Sequence, residues 1–425
     1  MLDLKQIRNE PEKFRGGLEA KNAGDKLDEL LKWDAHRREC IVKVDELKSL
    51  RNRASEEIGR LKKAGQPADD KVSEMRSVGD QIGLLDQQLK EIEGKINSVL
   101  ITLPNIPHSS VRIGQSAAEN VAVKEWGRKP DFDFPLKDHL DLGEALGILD
   151  LKRAAKISGA GFPLYAGDGA TLERALINFM LDFHRTKHGY KEIFPPFMVS
   201  RESAFGTGQL PKLEEDMYHT EADDLFLIPT AEVPVTNIHR DEILAENKLP
   251  IKYTAYSACF RREAGSYGKD TRGLSRVHQF NKVEMVWFTT PENSYQVHER
   301  LLQDAEDILQ VLNLHYRVVS LCSGDLSFAA AKCYDIEVWA PGSDKYFEVS
   351  SVSNFEDFQA RRANIRYRRT ADNKVAYVHT LNGSGVATPR LMIALLETCQ
   401  TNEGTIIIPE VLQKYTGFSQ IKTQI

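Results

Sequence analysis

Apolar and small side chains recur with a heptad rhythm in two stretches of the first hundred residues. Alternating steps of four and three residues are the spacing of a coiled-coil seam, in which each helix buries one stripe against another. Arg51 interrupts the first stretch, and no proline occurs between residues 27 and 63. The seam positions are Cys40, Val44, Leu47, Ala54, Ile58 and Leu61, followed in the second stretch by Met75, Val78, Ile82, Leu85, Leu89, Ile92, Ile96 and Val99.

The segment between the two stretches predicts a tight turn. Gly65 and Pro67 end a helix, and Asp69 or Asp70 can cap the next one. Because the connection is short, the two helices run antiparallel. At ~1.5 Å per residue, a helix over residues 27–63 forms an arm roughly 55 Å long. The second helix ends at residues 102–107, which contain two prolines.

Two interpretations of this helical hairpin stay open on spacing alone. It can be a dimerisation coiled coil, although a parallel dimer does not need the Gly/Pro turn. It can also be a surface that contacts RNA, because residues 32–63 carry ten basic side chains against six acidic ones. A basic helix is often only a solvated face, but it is also what binding to a phosphate backbone requires.

The rest of the chain mixes helical and strand patterns. Residues 111–134 suggest loops and a linker, and amphipathic helices are predicted at 171–188, capped by Thr171, and at 293–312. Helices and strands do not alternate as βαβ units, so we predict an α+β fold with an antiparallel sheet flanked by helices. The predicted strands are 225–228, 282–288, 316–320, 334–339 and 347–351.

Composition narrows the class of protein. The chain of 425 residues has 41% hydrophobic and 28% charged residues and a net charge of -6, so any contact with nucleic acid must come from local basic patches. The five cysteines form no CxxC pair, which argues against disulfides and a cysteine-rich zinc site. The charged N-terminus and the absence of a long apolar run lead us to expect a cytoplasmic protein without membrane contact.

One candidate site is a predicted hairpin of two strands. Arg261 and Glu263 end the first strand, the glycine-rich loop 264–273 follows, and Phe280 and Glu284 lie on the second strand. Arginine suits a bidentate grip on phosphate or carboxylate, and a phenylalanine ring offers a face on which a purine can stack. An Arg/Glu pair on a strand is by itself more often a surface ion pair.

A second candidate is the glycine-containing segment 381–390, which leads into an apolar helix at 391–396. Glycine lets the backbone approach a ligand, a helix N-terminus favours anions, and Arg390 adds a positive charge. A lone Gly-x-Gly is more often a simple turn.

Two further segments place a carboxylate beside a hydroxyl group. Thr230 and Glu232 could hold an ammonium group, and Glu348 and Ser351 offer oxygen ligands for Mg²⁺. In isolation, each pair is more often a cap or a turn. The histidines show no spacing typical of zinc ligands. The basic run 361–369 fits a contact with nucleic acid and an ordinary strand edge equally well.

Together these motifs resemble the class II aminoacyl-tRNA synthetases. Residues 188–196 after a long helix are similar to the first class II signature, Arg261 and Glu263 with Arg276 and Phe280 to the second, and 383–390 to the third. Segments 230–232, 277–280, 348–351 and 382–385, together with the helical hairpin, narrow the resemblance to the bacterial-type seryl-tRNA synthetases. Ala387 stands where many class II enzymes have glycine.

The resemblance implies an organisation and a function. It implies a tRNA-binding domain at 1–110 with its hairpin at about 27–100, a class II catalytic domain at 111–425, and a homodimer formed through the first signature. The expected enzyme is a ligase that activates L-serine with ATP and Mg²⁺ to seryl-adenylate. It would then transfer the seryl group to tRNA(Ser), and also to tRNA(Sec), with no zinc required.

The resemblance also implies roles for individual residues. Arg261, Glu284 and Arg390 are the expected catalytic residues, and Glu348 and Ser351 the expected Mg²⁺ ligands. The implied serine site comprises Thr230, Ala231, Glu232, Arg261, Glu284, Asn382 and Ser384. The implied ATP site comprises Arg261, Arg262, Glu263, Val277, Phe280, Glu348, Val349, Ser350, Ser351 and Arg390.

Three rival functions fit the sequence less well. A threonine or proline enzyme should carry an anticodon domain after the core, yet only about 35 residues follow Arg390. A ligase acting on a carrier protein should lack the long arm. A non-catalytic coiled-coil scaffold would not need Arg261, Glu263, Phe280 and Arg390 together.

Overall fold

The computed structural model of the chain describes residues 1–264 and 272–423, so most of the predicted loop 264–273 lies outside the described residues. The chain divides into two compact units, Met1–Pro104 and Asn105–Ile425. The predicted functional domains 1–110 and 111–425 stay predictions. In the part of the chain that the structure describes, no helix has both the length and the apolar character needed to cross a membrane.

The first unit is helical, and its long hairpin follows the heptad pattern. Residues at the predicted seam are buried or half-buried where α3 packs against α4, whereas Arg51 is exposed. The prediction of an antiparallel two-helix arm is therefore confirmed. The helices are α1 (Leu4–Asn9), α2 (Pro11–Glu19), α3 (Leu27–Lys63) and α4 (Asp69–Leu100).

The predicted cap of α4 is wrong. Ala68 occupies the N-cap position and makes no side-chain cap bond, while Asp69 and Asp70 lie in the first turn. Both carboxylates still favour this helix end because they lie near its positive pole.

Ion pairs link the two long helices of the first unit. Arg37 Nε lies 3.0 Å from Glu93 Oε1, and Lys48 Nζ lies 3.6 Å from Asp86 Oδ1. Other basic side chains of α3 are exposed and form no ion pair within residues 1–264 and 272–423, namely Lys32, Lys43, Arg51, Arg53, Arg60, Lys62 and Lys63. The positive charge of this surface is thus only partly neutralised.

The second unit is built on an eight-stranded sheet with the order β1-β9-β10-β11-β14-β8-β7-β2, which is antiparallel except where β2 joins β7. The α+β fold class is therefore confirmed. The strands are β1 (Val121–Trp126), β2 (Lys191–Ile193), β3 (Met198–Ser200), β4 (His219–Thr220), β5 (Leu225–Leu227), β6 (Ile243–Ala245), β7 (Ile251–Phe260), β8 (Gln279–Thr289), β9 (Tyr316–Ser320), β10 (Lys332–Ala340), β11 (Lys345–Asn354), β12 (Arg366–Arg368), β13 (Val375–Tyr377), β14 (His379–Ala387), β15 (Ile406–Ile407) and β16 (Gln420–Ile421).

Helices cover the sheet, and the central strands are buried on both faces. Along β8, Met285 and Trp287 join the larger core with α7, α10 and α12, whereas Val286 and Phe288 pack with residues of α9 on the other face. The helices are α5 (His139–Ala145), α6 (Leu151–Ser158), α7 (Gly167–Lys187), α8 (Arg201–Thr207), α9 (Glu232–Thr236), α10 (Ser294–Val311), α11 (Phe358–Arg362), α12 (Thr388–Thr398) and α13 (Glu410–Thr416).

Two local predictions in this unit, a helix cap and a linker, are wrong. Thr171 does not cap α7, which begins at Gly167, and its Oγ1 donates instead to the Gly167 carbonyl at 3.4 Å. The predicted linker contains the edge strand β1, whose residues are largely exposed.

The glycine-containing segment before Arg390 is a strand rather than a turn. Gly383 and Gly385 lie within β14, and α12 begins at Thr388, three residues before the predicted start. Glycine is required at residue 385 because a Cβ atom there would collide with the His184 ring. The close packing of α7 against β14 therefore explains a pattern that resembled a phosphate-binding turn.

Candidate active site

A cavity of about 530 Å³ lies in the second unit, where β8, β11, β14 and the start of α12 meet. Most of the residues predicted for the serine and ATP sites line it. They are Thr230, Glu232, Arg261, Glu263, Val277, Phe280, Glu284, Glu348, Val349, Ser351, Asn382, Ser384 and Arg390.

The predicted hairpin places an aromatic ring and a carboxylate on one face of the sheet. Strand β8 pairs antiparallel with β7, with Phe280 opposite Cys259 and Glu284 opposite Ala255. Side chains alternate along a strand, so Phe280, Lys282 and Glu284 point into the cavity together. Asn382 and Ser384 on the neighbouring strand β14 follow the same two-residue spacing.

A β-bulge decides which residues of β11 reach the cavity. The pairing of β10 with β11 shifts between Ile336 and Glu337, which leaves Val349 without a cross-strand partner. A bulge shifts the alternation of side chains by one residue. Glu348 and Ser351 therefore both line the cavity, whereas the hydroxyl of Ser350 donates to the Ser384 carbonyl at 2.5 Å.

Three predicted site residues do not line the cavity. Ala231 is buried in the core beside α9, and the side chain of Ser350 on β11 is buried against the backbone of β14. Arg262 is exposed, and its backbone N–H donates to the Asp216 carbonyl at 2.9 Å. The structure therefore gives these side chains no place in the cavity.

Glu284 is a buried carboxylate with one oxygen engaged and one unengaged. Oε2 accepts a hydrogen bond from Thr230 Oγ1 at 2.8 Å and lies 2.6 Å from Lys282 Nζ. Oε1 is buried and has no hydrogen-bond partner among the described residues. A buried acceptor without a donor is costly, so this oxygen is suited to a ligand that brings one.

Glu232 is a second buried carboxylate in the same part of the cavity. Burial, and after it the negative charge of Glu284, raise the pKa of Glu232 to about 7. Gln359 Nε2 donates to Glu232 Oε1 at 2.5 Å, and Gln359 Oε1 accepts from Thr380 Oγ1 at 2.7 Å. Glu232 and Glu284 thus have different hydrogen-bond partners, and both lie near the buried ammonium group of Lys282.

Arg261 lies at the end of β7, beside the aromatic ring of the hairpin. Its guanidinium carbon lies 5.2 Å from the centre of the Phe280 ring, and its Nε donates to the Pro229 carbonyl at 3.4 Å. Arg261 forms no ion pair with the residues described. Nearby, Arg276 Nη1 lies 2.6 Å from Glu263 Oε2, and Glu263 has a left-handed backbone with φ of 52°.

Arg390 in the first turn of α12 spans two neighbouring segments. Its Nε donates to the Ser275 carbonyl at 3.0 Å, and its Nη1 donates to the Glu348 carbonyl at 2.8 Å. Nη1 also lies 3.3 Å from Glu348 Oε2. This arginine therefore fixes β11 against the helix start while about a quarter of its side chain stays exposed.

Sequence reasoning missed several residues at the site. Lys282 and Arg276 lie in the quoted motifs, and their cavity positions follow only from strand alternation and the hairpin pairing. Gln359 comes from a segment with no recognisable motif. Asp335 pairs across the strands with Ser351, and burial followed by the charge of Glu348 raises the pKa of Asp335 well above its usual range.

The basic run 361–369 is largely occupied by contacts within the unit. Arg361 pairs with Asp357 at 2.8 Å and lies over the Tyr377 ring, Arg362 lies over Phe358, and Arg369 pairs with Asp372. These contacts stabilise α11 and β12, and the role of the run toward nucleic acid stays a prediction.

Family comparisons match both parts of the chain. The seryl-tRNA synthetase N-terminal domain matches residues 1–107, and the class II tRNA synthetase core domain of the G, H, P, S and T enzymes matches residues 213–399. The serine–tRNA ligase of Chlorobaculum parvum is 57% identical over 99% of this chain and 100% of its own length.

Solved structures agree with these matches. The seryl-tRNA synthetase of Pyrococcus horikoshii, complexed with ATP, is 41% identical over 100% of both chains, with a TM-score of 0.96. The cytoplasmic serine–tRNA ligase of Naegleria fowleri, in complex with AMP, is 30% identical over 100% of this chain and 99% of its own, with a TM-score of 0.90.

Proposed function

This chain belongs to the seryl-tRNA synthetases, ligases with a class II core, and we propose that it activates L-serine with ATP to seryl-adenylate and then transfers the seryl group to tRNA(Ser). The observation that carries the proposal is that Arg261, Phe280, Glu284 and Arg390 all line one cavity. These residues supply cations for phosphate, a ring for adenine and an acid for a small polar amino acid.

Activation needs positioning and charge neutralisation more than a base. The serine carboxylate is already ionised at neutral pH, and its oxygen attacks the α-phosphorus of ATP. The bond to the β-phosphate oxygen breaks, and pyrophosphate leaves with the bonding electrons. Arg261, which has no acidic partner among the described residues, bridges the serine carboxylate and the α-phosphate. Arg390 holds the far end of the triphosphate.

Adenine stacks on Phe280 within the hairpin. Arg261 lies over the ring of Phe280, so the phosphate contact and the stacking face are held together. Glu263 accepts a hydrogen bond from the adenine amino group, and the backbones of Arg262 and Val277 lie beside the base. In the second step a terminal ribose hydroxyl of the tRNA attacks the seryl carbonyl carbon, and AMP leaves.

Serine fits the polar end of the cavity. Its ammonium group lies between Thr230 and Glu232, and its hydroxyl donates to the unengaged Oε1 of Glu284. Asn382 and Ser384 complete this pocket, which is bordered by the backbone of Ala231. Because the pocket is built to pair with a hydroxyl group, alanine would leave a buried acceptor unpaired and is rejected.

Mg²⁺ bound with ATP would be held by Glu348 and Ser351. The fit rests on the oxygen donors of Glu348 and Ser351, which both line the cavity. Mg²⁺ is commonly bound through one or two carboxylates and substrate phosphates. When bound, the ion would neutralise charge on the phosphates. Val349 and Ser350, which lie between Glu348 and Ser351 in the chain, would hold these two side chains in place.

The arm of α3 and α4 binds the long variable arm of tRNA(Ser), and of tRNA(Sec) where that tRNA is present. Support comes from the exposed basic side chains of α3 that form no ion pair within the described residues, such as Lys43, Arg53 and Arg60. Such side chains bind phosphates by releasing counterions.

The test of the proposed function is ATP–pyrophosphate exchange with each of the twenty amino acids. Serine alone should support rapid exchange, because Glu284 and Glu232 select a small hydroxylated amino acid with a free ammonium group. Rapid exchange with another amino acid and none with serine would overturn the proposal.

The KM for serine should depend on pH. Serine keeps its ammonium proton near neutral pH, so it favours the ionised form of Glu232, whose pKa is about 7 in the free protein. Below pH 7 Glu232 is mostly protonated and must lose its proton when serine binds. Above pH 7 Glu232 is already mostly ionised, so serine binds without this cost. We expect the KM for serine to fall about tenfold from pH 6 to pH 8.

The control for this pH dependence is Glu232→Gln, which cannot titrate. Its KM should be higher and should lose most of the dependence on pH. A wild-type KM that is constant from pH 6 to pH 8 would contradict the role of Glu232.

The enzyme acts as a homodimer through the edge strand β2. This strand ends the sheet, and the Phe194 side chain beside it is 76% exposed and contacts Phe197 and Tyr256. An exposed aromatic cluster beside an unpaired strand edge is typical of an interface.

Phe194→Asp should shift the protein from dimer to monomer. A buried, unpaired carboxylate at the centre of an interface weakens association by several kcal/mol. Sedimentation velocity at micromolar concentration measures the change. Ile157, 72% exposed on α6, provides the matched control, and Ile157→Asp should remain dimeric. Dimers of unchanged stability in the Phe194 variant would place the interface elsewhere.

A further inference from the structure

Glu173 is a buried acid that lies behind the cavity and has no role in the function described above. It belongs to α7 and is 5% exposed. Its Oε1 accepts a hydrogen bond from Asn281 Nδ2 at 2.8 Å and lies 2.5 Å from Thr388 Oγ1. Burying a carboxyl group costs free energy unless it forms hydrogen bonds, and the two polar partners of Glu173 supply such bonds.

The two partners of Glu173 adjoin the residues proposed to hold ATP. Asn281 follows Phe280 directly on β8, and its side chain points to the opposite face of the sheet, toward α7. Thr388 begins α12, two residues before Arg390. Glu173 therefore ties the strand that carries the ring to the helix start that carries the arginine.

The number of hydrogens available to Glu173 and its two partners points to a neutral Glu173. The hydroxyl of Thr388 has one hydrogen, yet it lies near two acceptors, Glu173 Oε1 and the Asn281 carbonyl at 3.1 Å. An ionised Glu173 would leave one of these contacts without a proton. A protonated Glu173 donates to Thr388 Oγ1, and Thr388 then donates to the Asn281 carbonyl, so every contact is a hydrogen bond.

Other features of the surroundings agree with this arrangement. Glu173 Oε2 is buried and has no hydrogen-bond donor among the described residues. If Glu173 were ionised, only one of its two charged oxygens would accept hydrogen bonds. Burial raises the pKa of Glu173. Tyr256 donates to Asn281 Oδ1 at 3.0 Å, which orients the amide so that its nitrogen faces Glu173.

We propose that Glu173, as a neutral carboxylic acid, is a positioning residue for ATP that fixes the distance between the ring of Phe280 and the guanidinium group of Arg390. It contacts no substrate and acts through Asn281 and Thr388. The inference rests on the proposed function for the roles of Phe280 and Arg390, but it concerns the binding of ATP and not the choice of amino acid.

The test compares matched variants of the full-length protein. Glu173→Ala removes the link, and Glu173→Gln keeps the acceptor for Asn281 but cannot also donate a hydrogen from that oxygen to Thr388. Thr388→Val removes the bridging hydroxyl, and Thr388→Ser retains it. Calorimetric titration with ATP gives the Kd, and serine-dependent pyrophosphate exchange gives the KM for ATP and for serine separately.

We expect Glu173→Ala and Thr388→Val to weaken ATP binding about tenfold, as the loss of one or two buried hydrogen bonds implies. The KM for serine should change less than about twofold, and Thr388→Ser, which keeps the bridging hydroxyl, should stay within about threefold of wild type, less than the effect of one hydrogen bond. Glu173→Gln keeps only one of the two contacts of Glu173 and should bind ATP less tightly than wild type and more tightly than Glu173→Ala. If Glu173 only stabilised the fold, its replacement would lower the melting temperature. The KM for ATP would then not rise relative to the KM for serine.

Several results would overturn the inference. They are an unchanged Kd for ATP in both Glu173→Ala and Thr388→Val, equal losses for ATP and serine, or a Glu173→Gln variant that binds ATP as tightly as wild type although it lacks the donor contact to Thr388. If Glu173→Ala does not fold, the Thr388 pair decides by itself. If the wild type binds ATP but shows no serine-dependent exchange, the proposed function fails, while the calorimetric comparison still tests the positioning role.

Discussion

Replacing Glu284 by Ala should lower kcat/KM for serine in ATP–pyrophosphate exchange by about 10³-fold or more, because the site loses the acceptor for the substrate hydroxyl. This loss of activity should come from the missing contact with the serine hydroxyl. Oε1 of Glu284 is buried and unengaged, while Oε2 already accepts from Thr230 and lies beside Lys282. Removal of the acid therefore removes the serine contact and also leaves Lys282 buried without its partner.

The measurement needs a control for the loss of a buried acid as such. Glu306 is equally buried and pairs with Lys124 and Tyr316, but it does not line the cavity. Glu306→Ala should therefore keep exchange activity even if its melting temperature falls. Glu284→Gln supplies a second variant with almost unchanged volume. Near-normal exchange with serine in either Glu284 variant would refute the proposed site.

Deletion of residues 30–97 should abolish the charging of tRNA(Ser) while serine-dependent pyrophosphate exchange remains. The deletion removes nearly all of the exposed basic surface of α3, which the proposal assigns to tRNA. The two cut ends lie close together, because Lys26 Nζ bonds Thr102 Oγ1 at 3.2 Å and Arg37 pairs with Glu93 at 3.0 Å. The remaining chain can therefore be joined by a short linker.

The exchange activity of the shortened protein is the internal control, since it reports an intact catalytic unit. A milder variant, Arg53→Glu with Arg60→Glu, should raise the KM for tRNA by about a hundredfold at low salt and less at high salt, because phosphate contacts weaken with ionic strength. Charging by the shortened protein at the wild-type rate would show that the arm is a dimerisation device or a spacer.

The sequence was most informative where the structure depends on neighbours along the chain. The heptad positions of Cys40, Val44, Val78 and Ile82 predicted α3 and α4, and these side chains are buried as expected. The bounds of α3 agree with the predicted residues 27–63 because the seam repeats over many turns. Caps were less well predicted, as Asp69 and Thr171 show, because several polar residues near a helix end could serve equally well.

The motifs proposed to form the site are recognisable in the sequence only through their resemblance to a family. The physical signals alone were weak, since an Arg/Glu pair or a Gly-Ser-Gly segment occurs in many folds. The structure shows that Gly383 and Gly385 belong to a buried strand, where a side chain would meet α7 or β11. A turn and a tightly packed strand can share one pattern of glycines.

The sequence by itself determined the helical arm and the strand-rich core, because periodicity depends on neighbouring positions along the chain, and it supplied most cavity residues as candidates through the family resemblance of their motifs. The tertiary structure alone decided which side chains face the cavity. The bulge at Val349 directs Ser351 inward and Ser350 outward, and Glu173 meets Asn281 and Thr388 across more than a hundred residues of chain. Pairing between distant strands sets such contacts, and no local pattern encodes it.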